Sequence, residues 1–238
     1  MKFDDLDCYV IHYTKANNRK EHIQSQLKNL KIENKFKWIE SHDKEDVSYI
    51  QYTENFGSKI PQFNLRTPPS MKGIIEDFYI KPSEVSCALK HKQALIDFTN
   101  TKNPYYFIIE DDVIFADNFV NKLNQYFDEL PDDWDVLFIG SGGNKQVPQN
   151  ELVDGKKWYY KQYPADRCAD AIIMKRNAAK CLLYHINTHG LIFPYDHELS
   201  FWLNICCMNV YWLHPPLIVQ GSQNGKFKSL LQNAENLL

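Results

Sequence analysis

The sequence predicts an α/β fold: a single domain built on a mixed, mostly parallel sheet flanked by helices. Three observations carry this expectation. Apolar runs of strand length recur at residues 8–13, 35–40, 105–110, 134–140 and 169–176. Between them lie segments whose apolar residues recur every three to four positions, the spacing of a helix with one buried face. The two kinds of segment alternate from the start, and a strand, a helix and a strand in succession open a parallel sheet.

The elements follow in order. "CYVIHY" (8–13) reads as a buried strand, and residues 17–30 as an amphipathic helix with Ile23, Leu27 and Leu30 on its stripe. "KFKWIE" (35–40) sets Phe36 and Trp38 in alternation with lysines, a second strand. Residues 41–82 begin with a charged turn and continue through prolines that forbid a long helix, so an irregular connection over the sheet's carboxyl edge is expected. Residues 81–100 return to helical spacing, with Ser83 as N-cap and Val85, Ala88, Leu89, Leu95 and Phe98 inward. "YYFIIE" (105–110) is a strand, followed by a helix over about 116–129 and the buried strand "WDVLFIG" (134–140). After a loop come a strand or hairpin arm at 157–163, a strand at 169–176, helices at 177–186 and 195–208, and two short strands on either side of Pro215-Pro216.

Composition narrows the class. With 238 residues, 44% hydrophobic and 24% charged, the chain buries a sizeable core and is not disordered. A formal charge of −3 argues against a nucleic-acid binder. No signal-peptide stretch follows Met1, and no run approaches the roughly 20 apolar residues of a membrane helix. A cytoplasmic chain without a transmembrane segment is expected; peripheral membrane association and oligomeric state stay open. The six cysteines form no C-x-x-C pair and are expected as free thiols, with Cys206-Cys207 in helix packing.

Chemistry points to Glu110-Asp111-Asp112, three acids closing an apolar strand. Carboxylates about 5 Å apart repel by roughly 3 kcal/mol at an effective dielectric of about 20. In open α/β sheets ligands bind beyond the carboxyl ends of strands. Mg²⁺ and Mn²⁺ take oxygen donors, typically one or two carboxylates together with substrate phosphates. The triplet therefore suggests a cation bridging the protein to a phosphorylated ligand, against the plain reading of a solvated acidic turn.

Taken together, several segments resemble the family 25 glycosyltransferases, which include lipooligosaccharide and collagen hydroxylysine galactosyltransferases. "YVIHYTKANNRKEHI" (9–23) resembles their opening strand and Arg-bearing turn, and "EVSCALKHKQAL" (84–95) their "GEIGCxLSHxxAL" helix. "FIIEDDVIF" (107–115) is similar to "LILEDDV", and "WDVLFIG" to "WDLLxLG". "ADAIIMKRNAAKCLL" (169–183), "PYDHEL" (194–199) and "HPPLIVQ" (214–220) are similar to "GTxAYVISRxGAxKLL", "PIDxxL" and "PPLxxQ". Order and spacing agree over roughly residues 8–222. Departures include His12-Tyr13 in place of Asn-Leu, Ser86 in place of Gly and Lys90 in place of Ser.

The resemblance implies a GT-A-like domain over 1–238, with a nucleotide-sugar half at about 1–140, an acceptor half at about 141–225 and a tail at 226–238. It implies a hexosyltransferase that uses a UDP-sugar and Mn²⁺ or Mg²⁺, inverts the anomeric carbon, and acts on a glycan or hydroxylysine hydroxyl. Asp112 would be the principal metal ligand, with Glu110 beside it and His214 reaching in from the last strands; Glu110 or Asp111 would hold ribose, donor sugar or metal-bound water. His12, Tyr13 and Arg19 would line uridine and diphosphate, and Ser86, His91 and Lys92 would flank them from the preceding helix. Asp196 is the preferred base for the acceptor hydroxyl, with Glu198 second and Asp166 and Asp170 behind. Two other classes compete: a catalytically silent nucleotide-sugar-binding module, and a two-metal phosphoesterase or nucleotidyltransferase. The second needs further His or Asp ligands at matching strand ends, and the sequence offers no clear set.

Overall fold

Alternation along residues 105–110 sets up both faces of the molecule. Tyr106 and Ile108 join the hydrophobic cluster on one side of the sheet, and Phe107 and Ile109 the cluster on the other. All four are fully buried, and each contributes about 1.5–3 kcal/mol by leaving water. The computed structural model describes residues 1–47, 81–143, 147, 151–153, 155–156, 158–160 and 168–230.

Nine strands are described: β1 (Leu6–Ile11), β2 (Phe36–Ile39), β3 (Tyr105–Glu110), β4 (Val113–Phe115), β5 (Val136–Phe138), β6 (Trp158–Tyr160), β7 (Ala171–Lys175), β8 (Val210–Leu213) and β9 (Ile218–Gln220). Seven form one sheet in the order β2-β1-β3-β7-β5-β8-β6, and β4 pairs with β9 in a second. The parallel pairs β1/β2, β1/β3 and β5/β8 give β2, β1, β3, β5 and β8 a common direction. Only β7 and β6 run against it. The sheet is mixed and mostly parallel, as expected.

Helices α1 (Asn17–Asn29) and α3 (Phe119–Phe127) cover one face; α2 (Pro82–Thr99), α4 (Arg176–His189) and α5 (Tyr195–Ile205) cover the other. The predicted stripe of α1 is buried at Ile23 and Leu27, while Leu30 caps the helix half-buried. Ser83 is not the N-cap of α2. Lys81 holds that position, Pro82 takes the first helical place, and Glu84 accepts the Lys81 N–H at 2.8 Å. The helix expected from 116 starts at Phe119, after Asn118 takes a left-handed conformation. Among the described residues no helix is long and apolar enough to cross a membrane. Most of the 41–82 connection, and Asp166, lie outside the described residues.

Two features of topology build the site. Antiparallel β7 sits between β3 and β5, so its amino end meets the carboxyl end of β3, where the Glu110 N–H donates to the Asp170 carbonyl at 3.0 Å. β9 is the short strand expected after Pro216, but its partner β4 is not among the expected strands; their ribbon pairs Val113 with Gln220 and brings the chain after residue 217 back to the acidic triplet.

Candidate active site

Glu110 ends β3 half-buried, while Asp111 and Asp112 turn under the strand end and are almost fully buried. The three carboxylates have different surroundings. Asp111 accepts Arg19 Nη1 at 2.8 Å on one oxygen, and His12 Nδ1 at 2.8 Å and the Tyr13 N–H at 3.2 Å on the other. Burial pushes this carboxyl up, but His12 and Arg19 outweigh it and hold it below the ordinary range. Asp112 accepts the Ser222 N–H at 3.2 Å on Oδ2 and lies 3.8 Å from Arg19, whereas its buried Oδ1 has no hydrogen-bond partner. Glu110 receives the Gln220 amide at 3.3 Å. Its carboxyl is driven well above the usual range, first by burial and then by Asp112, Asp170, Asp111 and Asp196.

Asp111 has both oxygens engaged within the protein, where it anchors Arg19 and His12, and it also lines the first of the two cavities at this edge. His12 is fully buried behind the strand end, its ring edge-on to Trp38, and does not line a ligand cavity. Arg19 is committed too, since its second nitrogen donates to the Lys228 carbonyl at 2.6 Å and its guanidinium lies over the Phe227 ring. Residues 221–230 are thus tied to α1. The Gly221 N–H donates to the Asp112 carbonyl at 2.7 Å, and a Cβ on Gly221 would stand 2.4 Å from that oxygen.

Two cavities open at this edge. The first is lined by Tyr13, Arg19, Lys44, Ser83, Ser86 and Lys90, among others. The second, about 330 Å³, is lined by Lys81, Cys168, Tyr195, Asp196, His197 and Gln223, among others. Cys87 and Glu110 belong to both walls. Glu110 therefore stands where the two compartments meet.

From α2, Ser86 faces the first cavity and its hydroxyl donates to the His42 carbonyl at 2.6 Å. His91 is fully buried, its ring stacked on Tyr195 at 3.7 Å, and Nε2 lies 3.9 Å from Glu110. Burial holds the imidazole neutral, and neither nitrogen has a hydrogen-bond partner. Cys87, His91 and Glu110 bring one ligand atom each within 4.8 Å of one another. Lys92 lines neither cavity; Lys90 does, and its ammonium meets the buried Asp43 at 2.7 Å.

Asp196 lies half-buried in the first turn of α5, facing the second cavity. Glu198 is not brought there. It is fully buried and accepts the Ile192 and Phe193 N–H groups at 2.8 and 2.9 Å and Trp202 Nε1 at 2.5 Å, so it fastens the loop before α5 to that helix. His214 follows β8, three positions from β3 in the sheet, which is about 14 Å of strand spacing. It lines neither cavity. Asp170 lies with the acids: it is fully buried, its carboxylate abuts Gly140, and its charge acts on Glu110.

Sequence reasoning did not single out Cys87, Gln220, Ser222 or the Lys90–Asp43 pair as site residues. Cys87 and His91 are four apart, one helical turn, which could have been read; the return of residues 220–222 depends on the β4/β9 ribbon and could not.

The unpartnered Asp112 oxygen and the carboxylates crowding Glu110 suit a hard divalent cation. Glu110 and Asp112 are the residues that would hold it.

Acids at the carboxyl end of a central strand, with a cavity on either side, form the candidate site. The chain matches the model of glycosyltransferase family 25, described as an LPS biosynthesis protein, over residues 5–193. It belongs to that family and is a glycosyltransferase. No curated protein sequence matches it. Among solved structures, one titled as a glycosyltransferase involved in the glycosylation of the major capsid of PBCV-1 is similar at 11% identity. Its TM-score is 0.48, with 93% of this chain and 96% of that chain covered.

Proposed function

We propose that this glycosyltransferase moves a hexose, galactose or glucose, from a UDP-sugar to an acceptor hydroxyl, with inversion and with Mn²⁺ or Mg²⁺ bound, on a GT-A-like domain. The observation that carries the reading is the buried, unpartnered Asp112 Oδ1 among carboxylates that raise Glu110 at the junction of two cavities. The first cavity takes the nucleotide: Tyr13 offers a ring face, and Lys44 and Ser83 offer polar contacts to diphosphate. Its lining comes chiefly from the half at 1–140, while the second cavity, lined largely from beyond residue 141, takes the acceptor.

Transfer requires the C1–O bond to diphosphate to break as the acceptor oxygen bonds C1 from the opposite face. The hydroxyl proton passes to Asp196, which faces the acceptor cavity with one oxygen accepting only the His197 N–H. A bound cation supplies neutralisation of diphosphate charge as the leaving group departs. Arg19, locked by Asp111 and Lys228, contributes fixed positive potential beside Asp112. The family description, an LPS biosynthesis protein, supports a lipopolysaccharide-type glycan over hydroxylysine as acceptor.

The test is a donor-hydrolysis and transfer screen over several UDP-sugars, with and without Mn²⁺, on wild type and Asp112→Ala. Turnover is expected only for wild type with the cation. Equal turnover in chelator would refute the metal assignment, and saturable UDP-sugar binding without any transfer would point to a silent module.

A further inference from the structure

A second cluster of ligand-bearing side chains lies away from both cavities, on the face made by α4 and α5. Cys181 and His185 are four residues apart on α4, so they project from one side, one turn above the other. Cys206 closes α5 at its carboxyl end and comes back to the same place. The Sγ atoms of Cys181 and Cys206 are 3.2 Å apart, and a ring nitrogen of His185 completes a triad whose atoms all lie within 4.8 Å of one another. All three residues are half-buried, and none lines either cavity.

His185 is held in place. Its ring stacks on Trp202 at 4.5 Å and 16°, and the indole N–H of Trp202 is fastened to the buried Glu198. His189 packs against both rings, 5.8 Å from His185 and 5.2 Å from Trp202. Yet His185 Nδ1 is buried with no hydrogen-bond partner. A stacked, oriented imidazole beside two sulfurs offers two soft donors and one borderline donor at one point.

We propose that Cys181, His185 and Cys206 bind a borderline-soft divalent cation of the zinc class and staple the end of α4 to the end of α5. Zn–S bonds of about 2.3 Å and Zn–N bonds of about 2.0 Å place tetrahedral ligand atoms roughly 3.3–3.8 Å apart. The observed cluster reaches that by sub-ångström to ångström shifts in side chains already on one surface. Sulfur and imidazole donors favour zinc over the hard cations that suit carboxylate oxygens. Binding releases both thiol protons to solvent and leaves the fourth tetrahedral position to water. The ion closes the loop between residues 181 and 206, so it raises the thermal midpoint of the whole chain.

Chelator-treated, reduced protein is titrated anaerobically with Co²⁺ while thiolate-to-cobalt charge-transfer absorption and tryptophan fluorescence are followed. One equivalent should give the thiolate band, quench Trp202 and be displaced by Zn²⁺, which raises the midpoint. Cys181→Ser, Cys206→Ser and His185→Gln should abolish or markedly weaken the band, while Cys87→Ser and Asp112→Ala keep it. The last two comparisons separate this site from the acidic one, so failure of either leaves the other standing. No thiolate band in the wild type, or a band that survives Cys206→Ser, overturns the proposal. So does a Cys181–Cys206 disulfide found by peptide mapping of protein isolated without reductant.

Discussion

Replacing Asp111 by Asn costs the fold far more than the same change at Asp112, although the two are neighbours. Asp111 is 5% exposed and meets Arg19 at 2.8 Å, His12 at 2.8 Å and the Tyr13 N–H at 3.2 Å. Opposite charges about 4 Å apart attract by about 4 kcal/mol at an effective dielectric of about 20. Asn removes that attraction and turns one acceptor into a donor, so one set of partners meets a donor head-on. Removing one member of a buried pair costs about 3–5 kcal/mol, and that is the expected loss for Asp111→Asn. At Asp112, Oδ1 has no partner to lose, and the charge repels Glu110 as well as attracting Arg19. Asp112→Asn is expected within about 1 kcal/mol of wild type, yet inactive.

Urea unfolding followed by tryptophan fluorescence at pH 7 reads both variants. The pH dependence adds a check on sign. Asp111 is held below its ordinary value of 3.8 in the fold, so its stabilisation is present above that value and is lost as pH falls through the lower folded one. Asp111→Asn therefore flattens the acid limb of the stability curve. An Asp111→Asn protein within 1 kcal/mol of wild type, or an Asp112→Asn protein equally destabilised, would refute the division of roles.

Three further outcomes follow from the same geometry. Burial pushes Glu198 up to about 7 against its three donors, so the fold favours its protonated form. Its contribution is fullest below its ordinary value of 4.5 and falls by about 3 kcal/mol as pH rises through about 7; Glu198→Gln should remove that slope from the unfolding curve. Gly221→Ala sets a methyl 2.4 Å from the Asp112 carbonyl, which cannot swing aside as a side chain would. A loss of about 1–3 kcal/mol and a raised donor KM are expected, and unchanged melting and kinetics would contradict the close approach. Asp196→Asn should lower kcat by about 10²–10⁴-fold with little change in donor KM; a kcat within tenfold of wild type would remove Asp196 as base.

Most of the architecture was legible because burial writes a period into the sequence. β3 was placed at Tyr105–Glu110 by its apolar run, and α1, α2 and α4 by three-to-four spacing. Strand direction left no such trace. The apolar run of β7 reads alike in either sense, so only the structure turns its amino end, and with it Asp170, toward Glu110. The acidic triplet was legible as a unit but not in its parts: which acid is satisfied internally depends on Arg19 and His12, more than ninety residues earlier. Glu198 carried the opposite error. Its place in a family-like motif suggested chemistry, while its donors come from the loop at 192–193 and from Trp202 four residues on.

On the proposed function, charge balance at Glu110 calls for a positive ligand when a diphosphate approaches. Glu110, Asp111, Asp112, Asp170 and Asp196 converge there; among the described residues Arg19 is spent on Asp111 and Lys90 on Asp43. Lys44 remains at the first cavity, its ammonium over the Tyr13 ring. Protonation of Glu110 cancels one negative charge but gives Asp112 Oδ1 nothing, because that oxygen is buried and faces no donor. A divalent cation held by Glu110 and Asp112 would do both at once. Donor affinity should therefore rise with cation concentration in wild type and lose that dependence in Asp112→Asn, which isothermal titration with UDP resolves without any turnover.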